Sequence, residues 1–104
     1  MDKATVNMVI DFLKSELSAI GINIGGIALF GSQLSETASP DSDIDLILIS
    51  EDFKDKNIFE RSELTMAAEL KVMHKFHLPM DIIKMTYDEF QQGIMNKRYH
   101  AMLM

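Results

Sequence analysis

The sequence predicts an α/β (α+β) fold, a small mixed sheet flanked by helices. Two amphipathic helical periodicities alternate with short, dense apolar runs of strand length. Gly and Pro stand where those patterns break, and 47% hydrophobic content in 104 residues suffices for the core of one domain over 1–104. The implied order is helix, strand, short helix, strand, helix, strand, helix, which buries one sheet under packed helices.

Val6, Val9, Ile10, Leu13, Leu17 and Ile20 recur at helical spacing with Asp11, Lys14 and Glu16 between them, so about 4–20 form the first helix, ended by Gly21. Gly26 to Phe30 is a short buried strand, after which Gly31 permits a sharp turn and Ser32 opens a short helix. The run Asp43-Ile44-Asp45-Leu46-Ile47-Leu48-Ile49 is the second strand, and Ser50 to Lys56 a charged connection. From about Glu60 to His77, residues Met66, Leu70, Met73 and His77 mark one face of a second long helix, which Pro79 prevents from continuing. Met80 to Met85 is a third strand carrying Asp81 among apolar neighbours. Thr86-Tyr87-Asp88-Glu89 fits a capping box, so a last helix runs from Tyr87 toward the C-terminus.

A formal net charge of −6 argues against direct nucleic-acid binding, which needs clustered Lys and Arg on the phosphates. There is no cysteine, hence no disulfide framework or thiolate metal site. Neither a signal-peptide pattern nor a membrane-length apolar run is present, so a cytoplasmic location without membrane contact is the expectation.

The chemistry concentrates at Gly31-Ser32 and Asp43-Ile44-Asp45. A helix opening at Ser32 presents unpaired N–H groups and the positive end of its dipole to a phosphate, and the hydroxyl adds a donor. Strand alternation puts Asp43 and Asp45 on one face and sends Ile44 and Leu46 into the core. Adjacent carboxylates repel unless a cation lies between them, and hard oxygen donors with substrate phosphates suit Mg²⁺. Taken singly, Gly-Ser is a common turn and Asp-x-Asp a common solvated strand start. Their conjunction favours a metal-dependent nucleotidyl-transfer site. Asp81 is not a plausible buried core residue, because an unpaired buried carboxylate is costly; a solvent-exposed edge position is its alternative.

At these residues the chain resembles the minimal nucleotidyltransferases of the polymerase-β-like superfamily, whose hydrophobic strand, Gly-Ser and Ser-Asp-x-Asp-Leu stand here as Gly31-Ser32 and Ser42-Asp43-Ile44-Asp45-Leu46. The resemblance implies a nucleotidyltransferase-like fold and transfer of NMP, AMP from ATP or another NTP, to a hydroxyl. It implies that Asp43, Asp45 and Asp81 are catalytic and hold Mg²⁺, with Asp81 as base toward the acceptor, and that Gly31 and Ser32 bind the nucleotide. It further implies an antitoxin role beside a HEPN-type toxin. The chain departs from the family run Gly-Ser-x-Ala-Arg-Gly: Ser35 stands at the Arg position and Glu36 at the second Gly. Losing that cation weakens a phosphate grip, so the alternative is a catalytically degenerate partner-binding module.

His74, His77 and His100 show no ligand pattern and are assigned packing or surface roles. The nine methionines are core filling, a soft partner surface being the alternative. Lys97-Arg98 is a solvated helix end, and neither Tyr87 nor Tyr99 is assigned as a nucleotide acceptor. Homo-oligomerisation stays open.

Overall fold

The computed structural model describes residues 3–30, 44–93 and 102–103. Helix α1 (Lys3–Ala19) leads to β1 (Gly26–Phe30), and β2 (Ile44–Ile49) passes through a 3-10 turn (Glu51–Phe53) into α2 (Ile58–Phe76). Strand β3 (Met80–Met85), the short helix α3 (Tyr87–Gln91) and β4 (Met102–Leu103) complete the described chain. The four strands form one sheet in the order β3-β2-β1-β4. β1 is antiparallel to both β2 and β4, whereas β2 and β3 are parallel, so the expected mixed sheet is present. The parallel pair needs a crossover, and α2 supplies it.

Alternation along the strands divides the core. Ile27, Leu29, Ile44, Leu46, Leu48 and Ile82 face α1 and α2, where they meet Val9, Leu13, Leu17, Ala68 and Val72. Ala28, Ile47, Ile49 and Met85 face the other way and are covered by Phe90 of α3. Strand β2 is therefore buried on both faces, which explains its nearly unbroken apolar run. Past its last residue, buried Ser50 donates its hydroxyl to the Asn23 carbonyl (2.6 Å) and accepts from the Asp52 amide (3.1 Å). The Asn23 amide in turn donates to an Asp52 carboxylate oxygen (2.7 Å). This polar clasp ties together the end of the sheet at which β1 begins and β2 finishes.

Gly21 ends α1 as expected, at φ +87°, a conformation that costs glycine little. Helix α2 starts two residues before the expected Glu60, because Asn57 caps it: the Asn57 side chain accepts from the Glu60 amide, and Glu60 accepts from the Asn57 amide, both at 2.9 Å. The Met66, Leu70, Met73 and His77 face of α2 is exposed, and Thr65, Ala68 and Val72 make its buried side. Those smaller residues let α2 approach α1 and the sheet, so here the strongest apolar stripe of the helix points outward.

The capping box at Thr86 and Glu89 is present, but α3 stops after five residues, short of the expected run toward the C-terminus. Gly93 follows it at φ +81°, with Gln91 O only 3.0 Å from where a Cβ would stand, so this turn admits little but glycine. Residues Met102 and Leu103 instead pair with Leu29 and Ala28 as an unforeseen edge strand. The short helix expected at Ser32 falls outside the described residues.

Arg61 fastens three elements together. Its Nε donates to the Lys56 carbonyl (2.9 Å) and its Nη1 to the Lys84 carbonyl on β3 (3.0 Å) and to Glu89 of α3 (2.8 Å). The guanidinium also lies 5.9 Å from the ring centroid of buried Phe53. Its side chain is 13% exposed and that of Glu89 48%, so most of the desolvation falls on the arginine. Partial burial pushes the Glu89 carboxyl up, yet the Arg61 hydrogen bond, the Thr86 amide and the Arg61 charge together outweigh it and leave the group below its ordinary value.

Two outcomes are expected from this tie. Arg61→Ala strands two carbonyls and should cost about 2–3 kcal/mol in urea unfolding, whereas Glu89→Gln, at a half-exposed pair, should cost at most about 1 kcal/mol. Because the folded carboxyl of Glu89 is depressed, its contribution is complete above the unfolded value near 4.3 and disappears as pH falls from there through the lower folded value. Acid unfolding curves should show the wild type losing stability more steeply than Glu89→Gln across that window.

Candidate active site

Asp45 is the second residue of β2 and Asp81 the second of β3. The parallel register sets Asp45 opposite Asp81, and the antiparallel register sets Phe30 opposite Asp45 on its other side. Two residues further along each strand, Ile47 pairs with Ile83, and then Ile49 with Met85. Asp45 and Asp81 thus lie in the same rows as the residues beneath α3, on the sheet face turned away from α1 and α2. The order along that face runs from apolar residues under Phe90 to carboxylates at the end where β1 finishes and β2 and β3 begin.

Local sequence accounts for both placements. Pro79 ends the α2 connection and its carbonyl accepts from the Ile44 amide (3.1 Å), which aligns the starts of β2 and β3. Buried Ile44 and Ile82 then fix which face each neighbouring aspartate takes. Asp45 is half-buried, whereas Asp81 is exposed on β3.

Neighbouring strands run about 4.8 Å apart, so side chains at matched positions on one face come within reach of one ion. Two carboxylates so placed repel, and a divalent cation with a hard-oxygen preference relieves the repulsion. Their chemistry fits Mg²⁺. Gly31, Ser32 and Asp43, with Ser35 and Glu36, lie outside the described residues, as does His100. Among the described residues no group of three or more His, Cys, Asp or Glu is gathered as a metal cluster, and His74 and His77 stand together at a ring-centroid distance of 6.1 Å.

A groove of about 430 Å³ borders Asp81 between the β3 edge and the start of α2, with Lys56, Ser62 and Lys84 among its lining residues. Lys84 reaches across to Glu69 (3.0 Å), whose other interactions include the Thr65 hydroxyl. Sequence reasoning did not foresee this groove, because its walls come from two segments, 56–62 and 81–89, that share no local pattern. The resemblance alone grouped Asp81 with Asp45, and the residues by themselves did not give their register, since parallel register is set by α2 packing and not by neighbours in the chain. No helix among the described residues is long and apolar enough to cross a membrane.

The chain is similar in fold to the crystal structure of a presumed nucleotidyltransferase from Sulfolobus solfataricus, with a TM-score of 0.63 and 19% identity over 99% of this chain and 87% of that one. No curated protein matches the sequence significantly. The family model for the nucleotidyltransferase domain matches residues 6–101, a span that takes in β1, β2 with Asp45, and β3 with Asp81. With nearly its whole length so matched, the chain belongs to the nucleotidyltransferase domain family.

Proposed function

We propose that this nucleotidyltransferase domain moves an NMP group, AMP from ATP, to a hydroxyl acceptor with the help of Mg²⁺. The observation that supports it is the register that sets Asp45 beside Asp81 on one sheet face, in a chain of this family. Asp45 and Asp81, with Asp43 one strand step earlier in sequence, would hold the cation. Bound there, Mg²⁺ supplies charge stabilisation to the attacking and leaving oxygens of an in-line displacement. Gly31 and Ser32 would cradle the phosphates from the turn after β1. Asp81, the exposed member, would accept the proton of an incoming hydroxyl, a role its exposure to solvent supports. The acceptor proposed from resemblance is a HEPN-type toxin, which makes this chain its antitoxin in the cytoplasm.

Ser35 and Glu36 favour a second reading, a degenerate domain that neutralises a partner by contact alone, since the Arg that would face the phosphates is missing and a carboxylate follows. The two differ in what the carboxylates must do. An enzyme needs them ionised around a cation, whereas a steric binder does not.

Titration of ATP into the protein should release heat with Mg²⁺ and none with EDTA, and Asp45→Asn or Asp81→Asn should abolish it. ATP at a hundred times its dissociation constant should add about 2.7 kcal/mol to wild-type stability with Mg²⁺ present, raising the melting temperature, and leave both variants unmoved. Transfer should fall at least about a hundredfold in either variant. Failure of the wild type to bind ATP under any of these conditions would sink the enzymatic reading. Neutralisation of a partner in cells that survives Asp43→Asn with Asp45→Asn would establish the steric one.

A further inference from the structure

The outward face of α2 carries Phe59, Met66, Leu70 and Met73, which are 77%, 52%, 57% and 40% exposed. With Glu63 they occupy positions 59, 63, 66, 70 and 73, a spacing of four, three, four and three that keeps all five on one seam of the helix. Phe59, Met66 and Met73 stand seven residues apart, so reversing the helix about Met66 exchanges Phe59 with Met73, as a two-fold antiparallel pairing of the helix with itself does. We propose that this seam is a self-association surface, on which α2 of a second copy of the chain docks antiparallel.

Charge supports the choice of a second copy as occupant. The exposed acids of α2, Glu60 and Glu63, lie in its N-terminal half, while His74 and Lys75 are exposed in its C-terminal half beside Lys71, which reaches Glu16 of α1 at 3.3 Å. Arg61 and Glu69, the charges that would break this division, are turned inward to Glu89 and Lys84. Antiparallel pairing therefore brings the acidic half of each helix onto the basic half of the other, whereas parallel pairing would set like against like.

Shape supports it as well. A shallow depression of about 460 Å³, lined by Phe12, Leu70, Lys71, His74 and Lys75, opens beside the C-terminal half of the seam. Its floor includes Phe12, which stacks edge-on with Phe76 at 5.8 Å, and the Lys75 ammonium sits 4.8 Å from the Phe12 centroid. With Met66 near the two-fold axis, Phe59 lies seven residues, about 10 Å, to one side of the axis, opposite Met73 of the partner subunit and next to that depression. Phe59, the most exposed of the large apolar residues, then becomes a knob entering a preformed hole, once on each side of the axis. Such a patch, of the order of 300–600 Å² per copy, is smaller than the ~800 Å² per partner of a standard interface, so the dimer is a reversible one of micromolar affinity.

Sedimentation velocity of the wild-type chain from micromolar to sub-millimolar concentration should show a monomer–dimer equilibrium. Phe59→Asp and Met66→Asp should each raise its dissociation constant at least about tenfold, with unchanged circular dichroism because both side chains are exposed. Glu63→Lys should weaken the dimer less, and combined with Lys71→Glu should recover part of the loss. As the chain has no cysteine, Met66→Cys introduces one unique thiol, which should form a disulfide-linked dimer on mild oxidation, while exposed Ser18→Cys on α1 should not. A wild type that stays monomeric at sub-millimolar concentration, a dimer indifferent to Phe59→Asp and Met66→Asp, or a dimer in which Met66→Cys fails to cross-link would each overturn the proposal. None of these readouts depends on nucleotide binding.

Discussion

Burial of β2 on both faces is the constraint from which the rest of this structure follows. Ile44, Leu46 and Leu48 are enclosed on the side of the long helices and Ile47 and Ile49 on the side of α3, so a slip of one residue would exchange two fully buried sets. That locks β2 in register with β1 and β3. The register puts Asp45 in line with Phe30 and Asp81. Position 45 is the place in β2 where the chain can carry a charge at low cost, because it is the half-buried position of an otherwise buried strand, near its start. Fold and site are thus two consequences of one packing requirement, and the carboxylates stand where the apolar layer ends.

The same logic explains why the edges of this small sheet are tied with polar groups. Among the described residues β3 has no strand beyond it, and an open edge is a template for unwanted pairing. Arg61 occupies part of that edge by accepting responsibility for the Lys84 carbonyl while remaining held by Glu89. At the same end of the strands, Ser50, Asn23 and Asp52 satisfy one another where β1 enters and β2 leaves. Both ties link residues at least 23 apart in sequence, and both act on the parts of the sheet that apolar burial does not reach.

Much of this was legible in the residues because each signal was local. The bounds of β1 and β3, the stop at Gly21 and the Thr86 capping box depend on a few neighbours and stand where the pattern put them. What escaped was set at a distance. The end of α3 turns on one left-handed glycine, and β4 on two residues whose strand pairing is decided by β1. Of the site, Asp45 and Asp81 could each be picked out by type and spacing, but their adjacency is a product of the β2-α2-β3 crossover and has no trace in either segment alone. Spacing thus singled out the candidate carboxylates, and tertiary packing supplies the register between them.

Helix α2 shows where hydrophobic periodicity stops being informative. Periodicity locates an apolar stripe, but it does not name the surface that covers it. Here the stripe of Phe59, Met66, Leu70 and Met73 faces outward, and the inward side is built from Thr65, Ala68 and Val72. Thr65 can be buried because its hydroxyl reaches the Arg61 carbonyl at 3.3 Å and the Glu69 carboxylate, so a polar residue there leaves no orphaned donor. Small inward residues bring α2 close to the sheet and so help align β3 with β2. Large outward residues contribute nothing to that alignment and carry a cost in exposed apolar surface. Leu64 and Phe76 serve the fold by packing on the core, whereas Phe59, Met66, Leu70 and Met73 are left over by it, and the division of charge along α2 is what favours a second copy of the helix as the surface that would cover them.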